Sequence, residues 1–174
     1  SSVGVVGHWS NELNQVGAFT SRVVTSAVVQ LQLTENIVFV QHLNYGNQDQ
    51  ALANGGSAQW YGLNNYLFFT LTQRVDWGVN FEWFRDDDGF RGNTLMPPSP
   101  AYSFRGANLA GNFAGDFYQV TTGPQIKVRD NLIVRPNVRF DWYTGADPGP
   151  GARPFVDGNM NQQVILATDL LWTF

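Results

Sequence analysis

Apolar and polar residues alternate with a period of two over long stretches of the chain, the spacing of strands with two unlike faces. From Arg135 to Tyr143, Pro136, Val138, Phe140 and Trp142 share one face. Arg135, Asn137, Arg139, Asp141 and Tyr143 share the other. Near the carboxyl end, Val164, Leu166, Thr168, Leu170, Trp172 and Phe174 oppose Gln163, Ile165, Ala167, Asp169 and Thr173. From Asp76 to Asp86, Trp77, Val79, Phe81 and Trp83 oppose Asp76, Gly78, Asn80, Glu82 and Asp86. The pattern predicts eight strands, at about 3–9, 20–34, 36–46, 57–72, 75–86, 117–129, 132–144 and 161–174. Three connectors are tight: Thr34-Glu35-Asn36, Gln73-Arg74 and Asp130-Asn131, all residue types that suit hairpins. The others, 10–19, 46–56, 87–116 and 145–160, are long and rich in Gly, Asn and Pro.

Alternation alone does not say which face is outside, because a soluble sandwich alternates too. Three features favour an apolar exterior. The apolar face of the seven later strands carries no charge except Arg85, at a strand end. The polar face holds Arg22, Asp76, Glu82, Lys127, Arg129, Arg135, Arg139, Asp141 and Asp169, but is otherwise mostly Asn, Gln, Thr, Ser and Gly. A soluble surface has roughly 25–35% charged residues, so this face would be a poor one. The strands are also long: a bilayer takes ~9–11 tilted residues, whereas soluble strands cluster near ~5–6. Finally, Trp77, Trp172 and Phe174 lie beside the short turns, while Trp83 and Trp142 lie towards the long loops. The spacing is about 25–30 Å, near the height of the apolar band of an outer-membrane barrel. These five aromatics are the expected lipid-interface residues.

Composition sharpens this picture. Charged residues make up 14% of the 174-residue chain, against roughly 25% in a soluble domain. The net charge of −4 argues against a nucleic-acid partner, which needs clustered Lys and Arg. Without cysteine there is no disulfide framework and no thiolate metal site. No apolar run approaches the ~20 residues of a membrane helix, so a chain that spans must close as a barrel. The expected fold is therefore all-β: one antiparallel transmembrane barrel domain over 1–174, with about eight strands. Ser1-Ser2-Val3-Gly4 has no basic n-region and no apolar h-region, so it reads as a mature or internal start.

The last residues, Leu170-Leu171-Trp172-Thr173-Phe174, form an amphipathic strand ending in Phe, which suits β-augmentation by a barrel-assembly machine. This places the carboxyl terminus and short turns in the periplasm and the long loops outside the cell.

Two stretches carry a family resemblance. Asn80-Phe81-Glu82-Trp83-Phe84-Arg85-Asp86-Asp87-Asp88-Gly89-Phe90-Arg91 and Asn131-Leu132-Ile133-Val134-Arg135-Pro136-Asn137-Val138-Arg139-Phe140-Asp141 resemble the putative β-barrel porin-2 family. The resemblance covers about residues 57–174 and implies a bacterial outer-membrane porin. Members are roughly twice this length, so the chain is expected to be a carboxyl-terminal portion, with its eight strands part of a larger barrel.

The expected pore lining is Arg22, Glu82, Lys127, Arg129, Arg135, Arg139, Asp141 and Asp169, a ladder of both signs that suits a watery channel. Eight strands alone leave an interior barely wider than their own side chains, so a plug is the opposing reading. Asp86, Asp87 and Asp88 are a weak Ca²⁺ candidate without the spaced ligand pattern of an EF-hand loop. His8 and His42 are isolated, and no nucleophile–His–acid spacing stands out, so no enzyme and no cofactor are expected. The 87–116 loop is expected to fold over or into the mouth and narrow it. The leading function is passive diffusion of small hydrophilic solutes or ions. A closed structural or adhesive barrel and a soluble β-sandwich binding module are the alternatives. The expected partners are outer-membrane lipid, the assembly machinery, small solutes and, with no sequence feature deciding it, a second copy of the chain.

Overall fold

The computed structural model describes residues 1–91, 113–147, 149, 153–156 and 158–174. Eight strands form one antiparallel sheet in chain order: β1 (Ser2–Leu13), β2 (Phe19–Thr34), β3 (Ile37–Gln48), β4 (Ala58–Thr70), β5 (Val75–Asp86), β6 (Gly115–Arg129), β7 (Leu132–Gly145) and β8 (Gln162–Trp172). Each strand pairs with its sequence neighbours, and β1 and β8 are not paired with one another.

Cross-strand register carries the alternation across the whole sheet. Leu67 meets Val79, Phe69 meets Trp77, Phe81 meets Val120 and Phe140 meets Val164 on one face. Asn64 meets Glu82, Gln119 meets Asp141 and Arg135 meets Asp169 on the other. Burial is inverted relative to a soluble protein. The buried strand residues, among them Gln48, Trp60, Asn64, Asp86, Asp141 and Tyr143, all lie on the polar face. Large apolar residues such as Val5, Leu43, Phe140, Leu166 and Trp172 are exposed on the apolar face. Side chains crowd on one side and splay on the other, as in a sheet curled towards its polar side.

The strand boundaries depart from the pattern at several places. β1 continues to Leu13, so the first long connector shrinks from 10–19 to 14–18. Ser10, Asn11 and Glu12 are polar on both faces and erase the alternation, yet they stay in register with Thr20 to Arg22. β3 likewise runs to Gln48, two residues past its expected end at 46. β4 ends at Thr70 and a four-residue turn replaces Gln73-Arg74, closed by Val75 O accepting from Leu71 N and Thr72 N. β8 ends at Trp172, leaving Phe174 outside the strand and fully exposed.

Candidate functional site

The polar face is built as rows that cross the sheet. The longest runs through His42, Asn64, Glu82, Gln119, Asp141 and Gln163, six successive register partners from β3 to β8. Asp141 is 2% exposed. It accepts from Arg139 Nε at 2.6 Å and from Gln163 Nε2 at 2.7 Å. Glu82, in the same row, is half-buried and has no side-chain partner among the described residues. Nearer the short turns Arg135 Nε donates to Asp169 Oδ1 at 2.6 Å. Lys127 is exposed beside the same end. Arg129, expected in this lining, lies past a register shift after Lys127 and pairs with Leu132, a residue of the apolar set. The bulge moves it off the polar row, because one extra residue reverses the alternation.

At the long-loop end the face is knotted together. Arg22 donates through Nε and Nη2 to Gln48 Oε1, at 2.8 and 2.6 Å. Gln48 is fully buried and donates onward to Thr20 Oγ1 at 2.9 Å. Trp60 lies flat on Gly46, where a Cβ would stand 2.2 Å from the indole, so only glycine fits. The Arg22 and Arg91 guanidinium groups lie 5.7 and 5.2 Å from the Trp60 ring, within cation–π range. Phe90 stacks on the same ring at 6.1 Å.

Asp86 is fully buried, and its carboxylate accepts from Phe90 N at 3.0 Å and Arg91 N at 2.6 Å. These bonds fold the chain back over the rim directly after β5. On the other side, Phe113 packs edge-on against Tyr143 at 6.0 Å, and Tyr143 donates to Ala114 O at 2.8 Å. Both described ends of the 87–114 connection are thus pinned to polar-face aromatics. The loop expected to narrow the mouth falls largely on 92–112, outside the described residues.

The three candidate Ca²⁺ carboxylates do not converge. Asp86 holds backbone amides, Asp87 accepts from Arg85 Nε at 2.8 Å, and Asp88 accepts from Gln59 N at 3.1 Å. Among the described residues no three His, Cys, Asp or Glu side chains form a metal-sized group. The acidic run serves the turn that leaves β5.

On the opposite face the register gathers aromatics into a girdle at the long-loop end. Tyr45 meets Tyr61, Trp83 meets Tyr118, and Tyr118 meets Trp142. Tyr118 and Trp142 stack at 5.0 Å, and Tyr61 packs edge-on against Trp83 at 5.6 Å. Phe69 and Trp77 pair towards the short turns. Trp77 and Trp83 are six residues apart on one strand, or ~20 Å at ~3.3 Å per residue. Three indole N–H groups of this face are satisfied locally: Trp9 donates to Ser21, Trp77 to Thr122 and Trp83 to Asp116. Asp116, not singled out from sequence, also accepts from Arg85 Nη1 at 2.8 Å, which neutralises the one charge noted on this face.

A clamp closes part of the last connector. Asp147 accepts from Arg153 through both carboxylate oxygens, at 3.0 and 2.7 Å, and from Gly149 N at 2.9 Å. The Arg153 hydrogen bonds, then the Gly149 amide, lower the Asp147 carboxyl to about 2.

A sheet with an exposed aromatic and aliphatic face, aromatic girdles and a buried polar face is the arrangement of a membrane barrel wall. The family model described as Putative beta-barrel porin-2, OmpL-like, matches residues 3–174. The chain belongs to that family. The match begins in β1, well before the 57–174 region that carried the resemblance in sequence. It makes this a porin-type outer-membrane protein. No curated protein and no solved structure matches the chain.

Proposed function

We propose that this porin forms a passive diffusion channel for small hydrophilic solutes or ions, with the polar face as its wall. The observation that carries the reading is the inverted burial, with charges of both signs lining the crowded face and hydrophobic side chains exposed on the other. Glu82 and Asp76 have no side-chain partner among the described residues. Unpaired carboxylates are costly in a dry interior and suit a hydrated lumen. In this reading the short turns and the carboxyl terminus face the periplasm and the long loops face outward. The exposed β8 then serves as the edge that the assembly machinery recognises.

Planar-bilayer recording tests the proposal. Stepwise, voltage-independent conductance from the purified protein is expected. A second reading, a closed barrel that binds through its loops, is favoured by the knot of Arg22, Gln48, Trp60 and Arg91. It predicts membrane insertion without conductance, and that result would overturn the channel.

A further inference from the structure

The polar face contains a hollow of about 640 Å³, within the ~300–1,000 Å³ of small-molecule sites. Its floor is bare backbone, because Gly78 and Gly123 are register partners on β5 and β6. One wall is aromatic. The rings of Tyr66 and Phe68 are parallel to within 6°, with centroids 6.2 Å apart, and Phe68 lies against the Gly78 backbone. Towards the short turns Asp76 and Gln125 stand side by side in register, and neither has a side-chain partner among the described residues. The far wall is the Arg135–Asp169 ion pair.

We infer that this hollow is a binding subsite for a neutral sugar ring. A pyranose has a C–H face, whose polarised hydrogens suit the negative face of an aromatic ring. It also has a rim of hydroxyls that both donate and accept. The rim here offers what such hydroxyls need: a carboxylate that only accepts, a carboxamide that does both, and a guanidinium that only donates. Charge selects against ions. Asp169 balances Arg135, so Asp76 alone adds net formal charge, and it sits at one edge, across the cavity from that neutral pair. Gly78 makes room, since a side chain there would enter the floor beside the Phe68 ring, while Gly123 lets the β7 backbone close in beneath it. The inference rests on the channel reading only for the route by which a sugar arrives.

The test uses the intact protein in lauryldimethylamine oxide, whose headgroup carries no sugar, with maltotriose as probe and calorimetry as readout. Saturable binding is expected. Phe68→Ala should weaken it at least tenfold, and Phe68→Tyr should restore most of it. Gly78→Val, whose Cβ meets the Phe68 ring at an ordinary contact distance of 3.6 Å, should abolish it while heat-modifiable gel mobility stays native. Absence of saturable binding to the native protein overturns the site. So does binding that both Phe68→Ala and Gly78→Val leave unchanged, or tighter binding of putrescine than of maltotriose, which would mark an amine site. Conductance measured on the same sample separates the two proposals. A conducting channel that ignores maltotriose removes the sugar site and keeps the porin reading. A protein that binds maltotriose without conducting does the reverse.

Discussion

Glu82 and Asp141 stand in one row of the polar face, two strands apart, yet they do different work. Asp141 is buried and uses both oxygens on Arg139 and Gln163, which leaves Glu82 as the carboxylate of that row that would meet an ion in the proposed channel. Glu82→Gln is therefore expected to lower the cation-to-anion permeability ratio, read as a smaller reversal potential across a KCl gradient; an unchanged potential would place Glu82 off the ion path. The Asp147 clamp gives a prediction in pH. Its carboxyl is lowered from 3.8 to about 2 in the folded loop. A depressed carboxyl stabilises the fold fully above its unfolded value and ceases to do so as pH falls through the folded one. The clamp's contribution to stability is thus expected to be complete above about pH 4 and to be lost as pH falls to about 2, where the carboxyl protonates and the clamp opens. A carboxyl-carbon NMR titration should give a midpoint near 2, returning towards 3.8 in Arg153→Ala. A midpoint that ignores Arg153 would show that the clamp does not form.

At the scale of single elements, β6 and β7 contain a local interruption with an identifiable cause. Between the Thr122–Val138 and Ile126–Val134 partners the register has no paired Cα atoms. Pro124 and Pro136 lie in that interval and lack the N–H that a ladder needs. Gly123 lets the two backbones close up there: a Cβ would stand 2.1 Å from Pro136 O. Gly123→Ala is expected to cost about 1–3 kcal/mol through overpacking, whereas Gly78→Ala, facing only ordinary contacts, should change stability by less than about 1 kcal/mol. Urea titration followed by gel mobility distinguishes them, and equal effects would count against the close approach at Gly123. Such details were not legible in the sequence. Alternation revealed all eight strands and the two faces, because a period of two is a local property. The tail of β1 was hidden, since Ser10, Asn11 and Glu12 break the pattern and only pairing with β2 holds them. Asp116 was hidden for the same reason: it looked like loop until its partner Arg85 was placed beside it. The side of Arg129 depended on a bulge, and the separate duties of Asp86, Asp87 and Asp88 depended on backbone amides that composition does not reveal.

For the whole molecule, the choice of exterior is the claim with the widest consequence. Val79 lies on the apolar face between Trp77 and Trp83, and Thr121 lies on the polar face one strand away. Val79→Arg is expected to cost about 2–4 kcal/mol of folding free energy in lipid vesicles, the penalty of a charge near the bilayer midplane. Thr121→Arg should cost far less. A reversed ranking would turn the sheet inside out and remove the proposed channel with it. The strand order has a further consequence, for how the molecule comes to exist. Because every strand lies beside its neighbours in sequence, the sheet can grow by successive hairpins, each closing a loop of modest entropy. The two unpaired edges, β1 and β8, run antiparallel to each other and expose rows of amides and carbonyls that hydrocarbon cannot solvate. Zippering is then expected to be local, and the covering of those two edges to be the step that couples folding to entry into a membrane.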